Sequence, residues 1–276
     1  GWGAGANLAA MTPRHARTLF PAALAALLAA GCATQSPPSQ QDEAAPIADD
    51  VVGEVRTAPL PPTSDDMDMA GMQAAFVRDV SGRFGIAPAE VEAVLADATI
   101  QDSIIAAMSR PAERTRAWRD YRPIFLTPER IAAGRAFHAT HRDALEAVAA
   151  RTGVPAEIIV AIIGVETYYG RITGNHDVVD ALYTLAFAYP RTGEPDKAAY
   201  EDRRELFFRE ELAQVFALAR EQDLDLDALK GSYAGAMGWG QFMPSSYRQH
   251  AVDGNGDGRV DLFGTLDDVF ASIANY

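Results

Sequence analysis

The stretch Ile158-Ile159-Val160-Ala161-Ile162-Ile163-Gly164-Val165 decides the fold, and the acidic residue Glu166 follows it directly. Every residue of the stretch is apolar, so a helix formed there is predicted to be buried on all its faces. Pro155 opens this helix, which is predicted to run from Ala156 to about Tyr168. The sequence therefore predicts a buried helix that ends in a carboxylate.

Helix signals also lie on both sides of that stretch. Thr127-Pro128-Glu129 supplies an N-cap, a proline at the first helical position and an early acid, and Gly153 is predicted to end the helix that begins there. Apolar periodicity predicts two further helices, over Leu206 to Ala219 and over Leu266 to Tyr276. Because strand-like alternation is scarce, the predicted fold class is all-α, or mainly α-helical.

Composition and charge restrict the function. The chain has 276 residues, of which 48% are hydrophobic and 22% charged, which is typical of a folded globular protein. The formal net charge is -14, and no cluster of lysine and arginine interrupts the acidic balance. Because neutralising phosphates needs such a cluster, we expect no nucleic-acid partner.

A short apolar run near the amino terminus is typical of a secretion signal. Basic residues at Arg14 and Arg17 precede the run Leu19 to Ala30, which is too short to span a bilayer and is followed by Gly31 and Cys32. Small residues before the only cysteine resemble a bacterial lipoprotein signal, which predicts lipidation at Cys32. The alternative is an ordinary cleavage site that happens to lie near this cysteine.

The chain divides into three predicted parts. Residues 1–32 are upstream residues plus the signal peptide, and residues 33–68 form a proline-rich tether with few large apolar side chains. Residues 69–276 form the folded domain. Its last helical pattern reaches Tyr276 without a cap, so we expect the domain to continue beyond that residue.

Glu166 has two interpretations from the residues alone. At the end of a buried helix, beside Tyr168 and Tyr169, its carboxylate would be partly desolvated, and desolvation raises the pKa toward the range useful for proton donation. Alternatively, Glu166 forms an ion pair with Arg171. The segment Gly231 to Pro244 favours a binding site, because its glycines let the backbone approach a ligand and its aromatic residues offer flat faces for sugars.

Several motifs resemble the membrane-bound lytic murein transglycosylase B family. They are Gly164-Val165-Glu166-Thr167, Tyr189-Pro190-Arg191, the run Gly235 to Ser246, and Ser272-Ile273-Ala274-Asn275-Tyr276. The resemblance covers roughly Gly71 to Tyr276. It implies a lysozyme-like helical fold and an enzyme that cleaves the β-1,4 bond between N-acetylmuramic acid and N-acetylglucosamine in peptidoglycan. Such enzymes use no water and leave 1,6-anhydromuramoyl ends.

The resemblance also implies the roles of individual residues. Glu166 is the single catalytic acid and base, and no cofactor takes part in catalysis. The implied substrate-binding residues are Tyr121, Arg191, Ser232, Gln241 and Tyr276. For Tyr121 and Tyr276 the residues alone favour a place in the core. Thr192 departs from the family pattern, in which a second basic residue follows the arginine.

A calcium-loop pattern starts at Asp253. Oxygen-bearing side chains at loop positions one, three and five, a glycine at six and a backbone carbonyl at seven match an EF-hand, but Gly264 replaces the glutamate at twelve. Asp267 or Asp268 could supply the missing carboxylate, and the resemblance favours Asp267. The predicted structural Ca2+ ligands are therefore Asp253, Asn255, Asp257, Arg259 through its carbonyl, and Asp267. The alternative is a surface turn that binds no metal.

Three functions stay open at this point. The first is a lytic transglycosylase that acts on peptidoglycan glycan strands. The second is a hydrolytic muramidase, and the third is a non-catalytic lipoprotein that binds peptidoglycan. In each case we expect a periplasmic protein that meets the membrane only through its lipid anchor. Ala33 follows Cys32 where an aspartate would favour inner-membrane retention, so the outer membrane is predicted.

Overall fold

The computed structural model describes Thr63 and residues 67–109 and 118–276. Within these residues the fold is mainly α-helical, as predicted, with eleven α-helices, one 3-10 helix at Leu226–Ala228 and two short strands. The helices are α1 Met69–Phe84, α2 Pro88–Asp97, α3 Asp102–Met108, α4 Trp118–Phe125, α5 Pro128–Thr140, α6 Arg142–Thr152, α7 Ala156–Thr167, α8 Val178–Phe187, α9 Ala198–Gln222, α10 Pro244–His250 and α11 Leu266–Asn275.

The helix α8 forms the centre of the core. All its residues except Asp180 are buried, which fits a helix that is apolar on almost every face. The long helix α9 packs along α8 and also contacts α1 and α10. Helix α3 packs on α8, and a second group of helices forms around α7, which packs against α5, α6 and α11. Helix α7 therefore packs on the core with one face, and Glu166 lies near its carboxyl end.

Two strands connect the segment after α7 to the segment before α10. Strand β1, His176–Asp177, pairs antiparallel with β2, Lys230–Gly231, so that His176 faces Gly231. Gly174 has a positive φ and lies so close to the Gly231 carbonyl that a side chain at residue 174 would collide with it. This pairing brings the Gly231 to Pro244 segment beside the end of α7.

The bounds of α7 agree with the prediction, but the expectation of burial on every face is wrong. Ile158 is 50% exposed, Ile162 36% and Val165 47%, whereas Ile159 and Ile163 are fully buried. The exposed residues follow each other at helical spacing and form one stripe. An apolar composition makes burial favourable, but it does not provide a neighbouring element on each face.

Two other predicted helices differ from the observed ones. The helix predicted from Thr127 to Gly153 consists of α5 and α6, which are separated at His141. The helix predicted over Leu206 to Ala219 extends over Ala198–Gln222. Its first turns include buried acids, Glu201 and Glu205, that apolar periodicity does not detect because their burial depends on ion pairs and hydrogen bonds.

The features predicted to connect the protein to a membrane lie mostly outside the described residues. These are the signal peptide, Cys32 and all of the tether except Thr63, Met67 and Asp68. In the part of the chain that the structure describes, no single helix is long and apolar enough to cross a membrane. The helices α6 and α7 reach that length and composition together, with a bend of 115° between them.

Candidate active site

The chain turns sharply directly after Glu166. The next residue, Thr167, ends α7, and Tyr168, Tyr169 and Gly170 all have positive φ values, of 49°, 60° and 76°. Two consecutive tyrosines in this region of backbone space are unusual, because a side chain there crowds the following carbonyl. The turn is therefore held by its packing, and Glu166 lies on the last helical turn before it.

Tyr169 is the main packing residue of this turn. Its ring lies against Gly134 of α5 and Gly164 of α7, where a Cβ at residue 164 would come within 2.6 Å of the tyrosine hydroxyl. The ring centroid is 5.6 Å from that of Phe137. Burial raises the pKa of Tyr169, so its hydroxyl stays neutral. The absence of side chains at Gly134 and Gly164 thus allows Tyr169 to hold the end of α7.

Thr167 connects the end of α7 to the glycine-rich segment. Its hydroxyl donates to the Trp239 carbonyl over 2.9 Å and accepts from the Gly170 amide over 3.1 Å. The Trp239 indole in turn donates to the Phe263 carbonyl over 2.9 Å, and its ring covers Gly170. The residue next to Glu166 is therefore bonded directly to the segment that the sequence analysis selected as a binding site.

Gln241 lies in the same region. It has a positive φ of 50°, and its side-chain amide donates to the carbonyls of Thr173 and Gly238, each over 3.1 Å. Thr173 belongs to the chain that follows α7, so this contact is a second connection between the two segments. The structure thus brings Gln241 to the turn that follows Glu166.

The electrostatic setting of Glu166 is that of a partly desolvated carboxyl group. Burial raises its pKa to about 7, and burial is the only cause of the shift. Among the described residues no hydrogen bond or ion pair reaches its carboxylate. The predicted alternative, an ion pair with Arg171, is absent from this part of the chain, because the Arg171 guanidinium lies over the Tyr168 ring, 4.8 Å from its centre.

Two of the predicted substrate residues lie in aromatic clusters that reach the surface. Tyr121 is on α4, with its ring 6.1 Å from that of Trp118 and 5.2 Å from that of Phe125. Tyr276 is 69% exposed, and its ring contacts Phe242, which directly follows Gln241, with centroids 5.7 Å apart. Neither tyrosine is a core residue, although the residues alone favoured that position.

The other two predicted substrate residues contact protein groups. The buried Ser232 accepts a hydrogen bond on its hydroxyl oxygen from the Ala236 amide over 3.0 Å, which shapes the glycine-rich segment. Arg191 forms ion pairs with Asp202 over 2.7 Å and with Glu205 over 2.5 Å, both on α9. Substrate contact by these two residues stays a prediction.

The predicted calcium loop is closed by its own hydrogen bonds. The Asp253 carboxylate accepts from the amides of Gly256 and Gly258, over 2.6 and 2.7 Å, and these bonds lower its pKa. Asp268 is buried and accepts from the amides of Gly254 and Asp261, each over 2.8 Å, whereas Asp267 is exposed. Within the described ranges no three acidic, histidine or cysteine side chains gather as a preformed metal cluster.

Two notable residues of the structure were not predicted from the sequence. Glu211 on α9 is buried, and desolvation raises its pKa to about 7 although Ser245 donates two hydrogen bonds to it. No sequence signal separates it from the surface acids around it. Trp118 precedes Tyr121 by three residues and Phe125 follows by four, so helical spacing could have revealed that the three aromatic residues share one face.

Comparison with known proteins identifies related sequences. Residues 69–276 match the family model described as Transglycosylase SLT domain. The chain is similar to the membrane-bound lytic murein transglycosylase B of Escherichia coli K12, with 38% identity over 232 residues, or 79% of this chain. The chain spans 61% of the length of that relative.

Solved structures of related proteins share the fold. The soluble lytic transglycosylase SltB1 from Pseudomonas aeruginosa has a TM-score of 0.67 and 45% identity over 74% of this chain and 65% of its own. The Escherichia coli lytic transglycosylase Slt35 in complex with calcium has a TM-score of 0.64 and 40% identity, over 74% and 61%. SltB3 from Pseudomonas aeruginosa, in complex with NAG-anhNAM-pentapeptide, has a TM-score of 0.64 and 33% identity, over 76% and 52%.

Proposed function

The chain belongs to the transglycosylase SLT domain family, and from this premise we propose that it is a lytic murein transglycosylase. It cleaves the β-1,4 bond between N-acetylmuramic acid and N-acetylglucosamine and forms 1,6-anhydromuramoyl ends. The observation that carries the proposal is Glu166, a partly buried carboxyl group with a pKa near 7 and no protein partner among the described residues. The related SltB3, solved in complex with NAG-anhNAM-pentapeptide, supports the same reaction class.

In the proposed mechanism, Glu166 acts twice. As a neutral acid it donates its proton to the glycosidic oxygen, and the bond between that oxygen and the anomeric carbon breaks. The resulting carboxylate then removes the proton from the C6 hydroxyl of the same muramoyl residue, whose oxygen attacks the anomeric carbon. The proton count balances, and Glu166 returns to its neutral form. A pKa near the working pH suits a group that both donates and accepts.

A second carboxylate is not needed for this reaction. Glycosidases that use water or a covalent intermediate employ two carboxyl groups, whereas here the attacking hydroxyl belongs to the substrate. The acids that follow Glu166 most closely are engaged elsewhere: Asp177 pairs with Lys230, and Asp180 accepts from Thr99 and Gln101. These contacts favour the transglycosylase over the hydrolytic muramidase.

We assign the glycan contacts to five residues. Gln241 has the strongest support, because its amide bonds to the chain that follows α7. Tyr121 and Tyr276 offer accessible aromatic faces, on which sugars stack. Ser232 keeps a hydroxyl proton to donate while its oxygen accepts from Ala236, and Arg191 would contribute through its guanidinium group, which also pairs with two acids of α9.

Product mass tests the reaction type. We expect purified protein to release fragments from peptidoglycan sacculi that end in anhydromuramic acid and are lighter by one water than the corresponding reducing ends. Reducing ends alone would contradict the proposal and indicate a muramidase. Absence of any cleavage, with binding of sacculi intact, would indicate the non-catalytic binding protein.

We also propose a structural Ca2+ in the loop that begins at Asp253. Its hydrogen bonds already fold the loop, and the related Slt35 was solved in complex with calcium. The ligands would be the oxygens of Asp253, Asn255, Asp257 and Asp267 and the Arg259 carbonyl. We expect calcium to raise the melting temperature by a few degrees, because it binds only the folded loop. A melting curve that is unchanged by a chelator would contradict this. Asp253→Ala, which removes one of the proposed ligands, should lose the stabilisation by calcium.

For location, we propose a lipid-anchored periplasmic enzyme of the outer membrane. Cys32 would carry the lipid, residues 33–68 would form the tether and residues 69–276 the catalytic domain. The supporting observations are the signal-like run before Cys32 and the membrane-bound relative. In cells fed a labelled fatty acid, we expect label on the wild-type protein and none on Cys32→Ala. Equal labelling of both would contradict the anchor.

A further inference from the structure

A lane of aromatic rings and guanidinium groups runs from α4 to the end of α7. The rings of Trp118, Tyr121 and Phe125 follow each other along α4. The guanidinium carbon of Arg130 then lies 5.5 Å from the Phe125 ring centre and 4.7 Å from that of Tyr168. Arg171 stands over the same Tyr168 ring at 4.8 Å. The lane therefore ends at Tyr168, which follows the proposed catalytic acid Glu166 by two residues in the sequence.

Arg130 has an unsatisfied donor in this lane. Its Nη1 atom is buried and has no hydrogen-bond partner. No ion pair to its side chain occurs among the described residues, although the whole chain has 38 acidic and 24 basic residues. Leaving a buried donor unpaired costs about 1–3 kcal/mol, and more for a charged group. A charged group that reached this half-buried guanidinium would give the unpaired donor a partner and recover part of that cost.

Arg191 and Arg209 differ from Arg130 because each forms ion pairs within the protein. Arg191 pairs with Asp202 and Glu205, and Arg209 pairs with Glu205. Their charges are compensated within the fold. At Tyr168 two guanidiniums, of Arg130 and Arg171, share an aromatic ring without an acid between them. A carboxylate is the complementary ligand, because a guanidinium donates parallel hydrogen bonds to its two oxygens.

We propose that Arg130, assisted by Arg171, binds a carboxylate of the muramoyl residue or of its attached peptide, and so selects anionic glycan strands over uncharged ones. The inference rests on the proposed function for its substrate class. It adds a specificity-determining residue, because Arg130 would read the charged substituent while the aromatic rings stack on the sugars. Discrimination arises because the oxygens of an uncharged glycan form only neutral hydrogen bonds with the guanidinium, which are weaker than those of a carboxylate.

Binding to a cleavage-deficient protein tests this without relying on catalysis. We use Glu166→Gln in the full chain and measure the Kd by calorimetry for three tetrasaccharides: uncharged N-acetylglucosamine tetramer, peptide-free alternating muramoyl tetramer with its lactyl carboxylate, and the same tetramer carrying pentapeptides. Adding Arg130→Ala should weaken binding of a carboxylate-bearing tetramer about tenfold or more and leave the uncharged tetramer unchanged. Whichever charged ligand responds identifies the source of the carboxylate.

Two further variants complete the test. Arg130→Lys should restore part of the affinity, with a stronger dependence on salt, because lysine keeps the charge but not the paired donors. Arg151→Ala, at an exposed arginine of α6, should change none of the three constants. Equal weakening of all three ligands by Arg130→Ala, no weakening, or no glycan binding at all would overturn the inference. Anhydro products from the wild type with no Arg130 effect would leave the proposed function intact.

Discussion

Two glutamates of this protein have the same raised pKa and opposite surroundings. Burial raises the pKa of both Glu166 at the end of α7 and Glu211 in α9 to about 7. Glu211 is fully enclosed, and the Ser245 amide and hydroxyl donate to its two oxygens over 2.9 and 2.6 Å. Glu166 keeps an open side, and in the described parts of the chain no donor reaches it.

The difference separates a structural acid from a candidate catalytic one. The Glu211 carboxylate connects α9 to the first turn of α10, so its hydrogen-bonding capacity is used inside the fold. Glu166 has the same affinity for a proton, but its oxygens remain for a ligand. A shifted pKa alone therefore does not identify a catalytic group, because structural networks shift pKa values as well. Access and unused hydrogen-bonding capacity decide between the two.

The largest expected effect separates the two glutamates by activity. Glu166→Gln should lower the rate of glycan cleavage by about a thousandfold or more, because an amide neither donates nor accepts the proton at the glycosidic oxygen. Glu211→Gln should stay within a few-fold of the wild type, since an amide can still bond to both Ser245 groups. Release of soluble fragments from sacculi measures both rates. Similar losses of activity in the two variants would contradict the distinction between a catalytic Glu166 and a structural Glu211.

For stability, measured by unfolding in denaturant, Glu211 should matter more than Glu166, which is the reverse of the order expected for activity. Glu211→Ala removes the partner of the partly buried Ser245 amide and hydroxyl and leaves a cavity beside α10, so we expect a loss of about 2–3 kcal/mol in the free energy of unfolding. Glu166→Ala removes a carboxyl group without a partner and, at about pH 4, where that group is neutral in the folded and unfolded states, should change the same quantity by about 0.5 kcal/mol or less. A larger loss for Glu166→Ala than for Glu211→Ala would mean that Glu166 has a structural role.

The pH dependence of activity should depend on Glu166, whereas that of stability should depend on both residues. Because catalysis starts from neutral Glu166, kcat/KM should fall about tenfold per pH unit above a pKa of about 7, in the wild type and in Glu211→Gln alike. Both folded pKa values lie above the usual 4.5, so the stability that each neutral carboxyl group adds is present below that pH and is lost as the pH rises through about 7.

Thermal melts between about pH 5 and pH 8 check the stability half of this prediction. The wild type should lose melting temperature across that window, and Glu211→Gln should lose less, because the amide does not titrate. If Glu211→Gln flattened the pH profile of kcat/KM and left that of stability unchanged, the assignment would be reversed. In that case Glu211, and not Glu166, would be the group on which activity depends.

The smallest expected effect concerns how the end of α7 is held. Gly164→Ala places a methyl group 2.6 Å from the Tyr169 hydroxyl, so the ring must move, and we expect a loss of about 1–2 kcal/mol in stability together with a several-fold lower kcat. Gly82→Ala in α1 is the matched control, since nothing lies within 4 Å of its new methyl group. It should be neutral or slightly stabilising. Unchanged activity in Gly164→Ala would show that Tyr169 does not position Glu166.

The sequence was informative where a local rule determines the structure. The apolar stretch and its proline predict α7 within one residue, and Gly153 ends a helix as expected. Burial depends on neighbours that are distant in sequence, so the open stripe of Ile158 and Ile162 and the enclosure of Glu211 were not predictable. Both acids belong to helical segments, and only tertiary packing separates their roles.

In the candidate site, too, local motifs predict some features and tertiary contacts decide the others. Motif matching selected Glu166 and Gln241, and the two lie on segments that hydrogen bonds hold together. Arg191 and Ser232 were selected equally, yet their visible partners are protein groups. Arg130 belongs to no motif. Its surroundings, in which one donor has no partner, form only because the fold brings Phe125 and Tyr168 to its guanidinium. Residue type indicates the chemistry that a side chain can perform, whereas tertiary contacts decide how much of it remains unused.

The most direct test of the central claim is a sacculus digestion in water labelled with heavy oxygen, followed by mass spectrometry of the products. If Glu166 works as the only acid and base and the C6 hydroxyl attacks, the wild type releases anhydromuramoyl ends without label, and Glu166→Gln releases none. Labelled reducing ends from the wild type would contradict the account. They would require an attacking water and a second group to activate it.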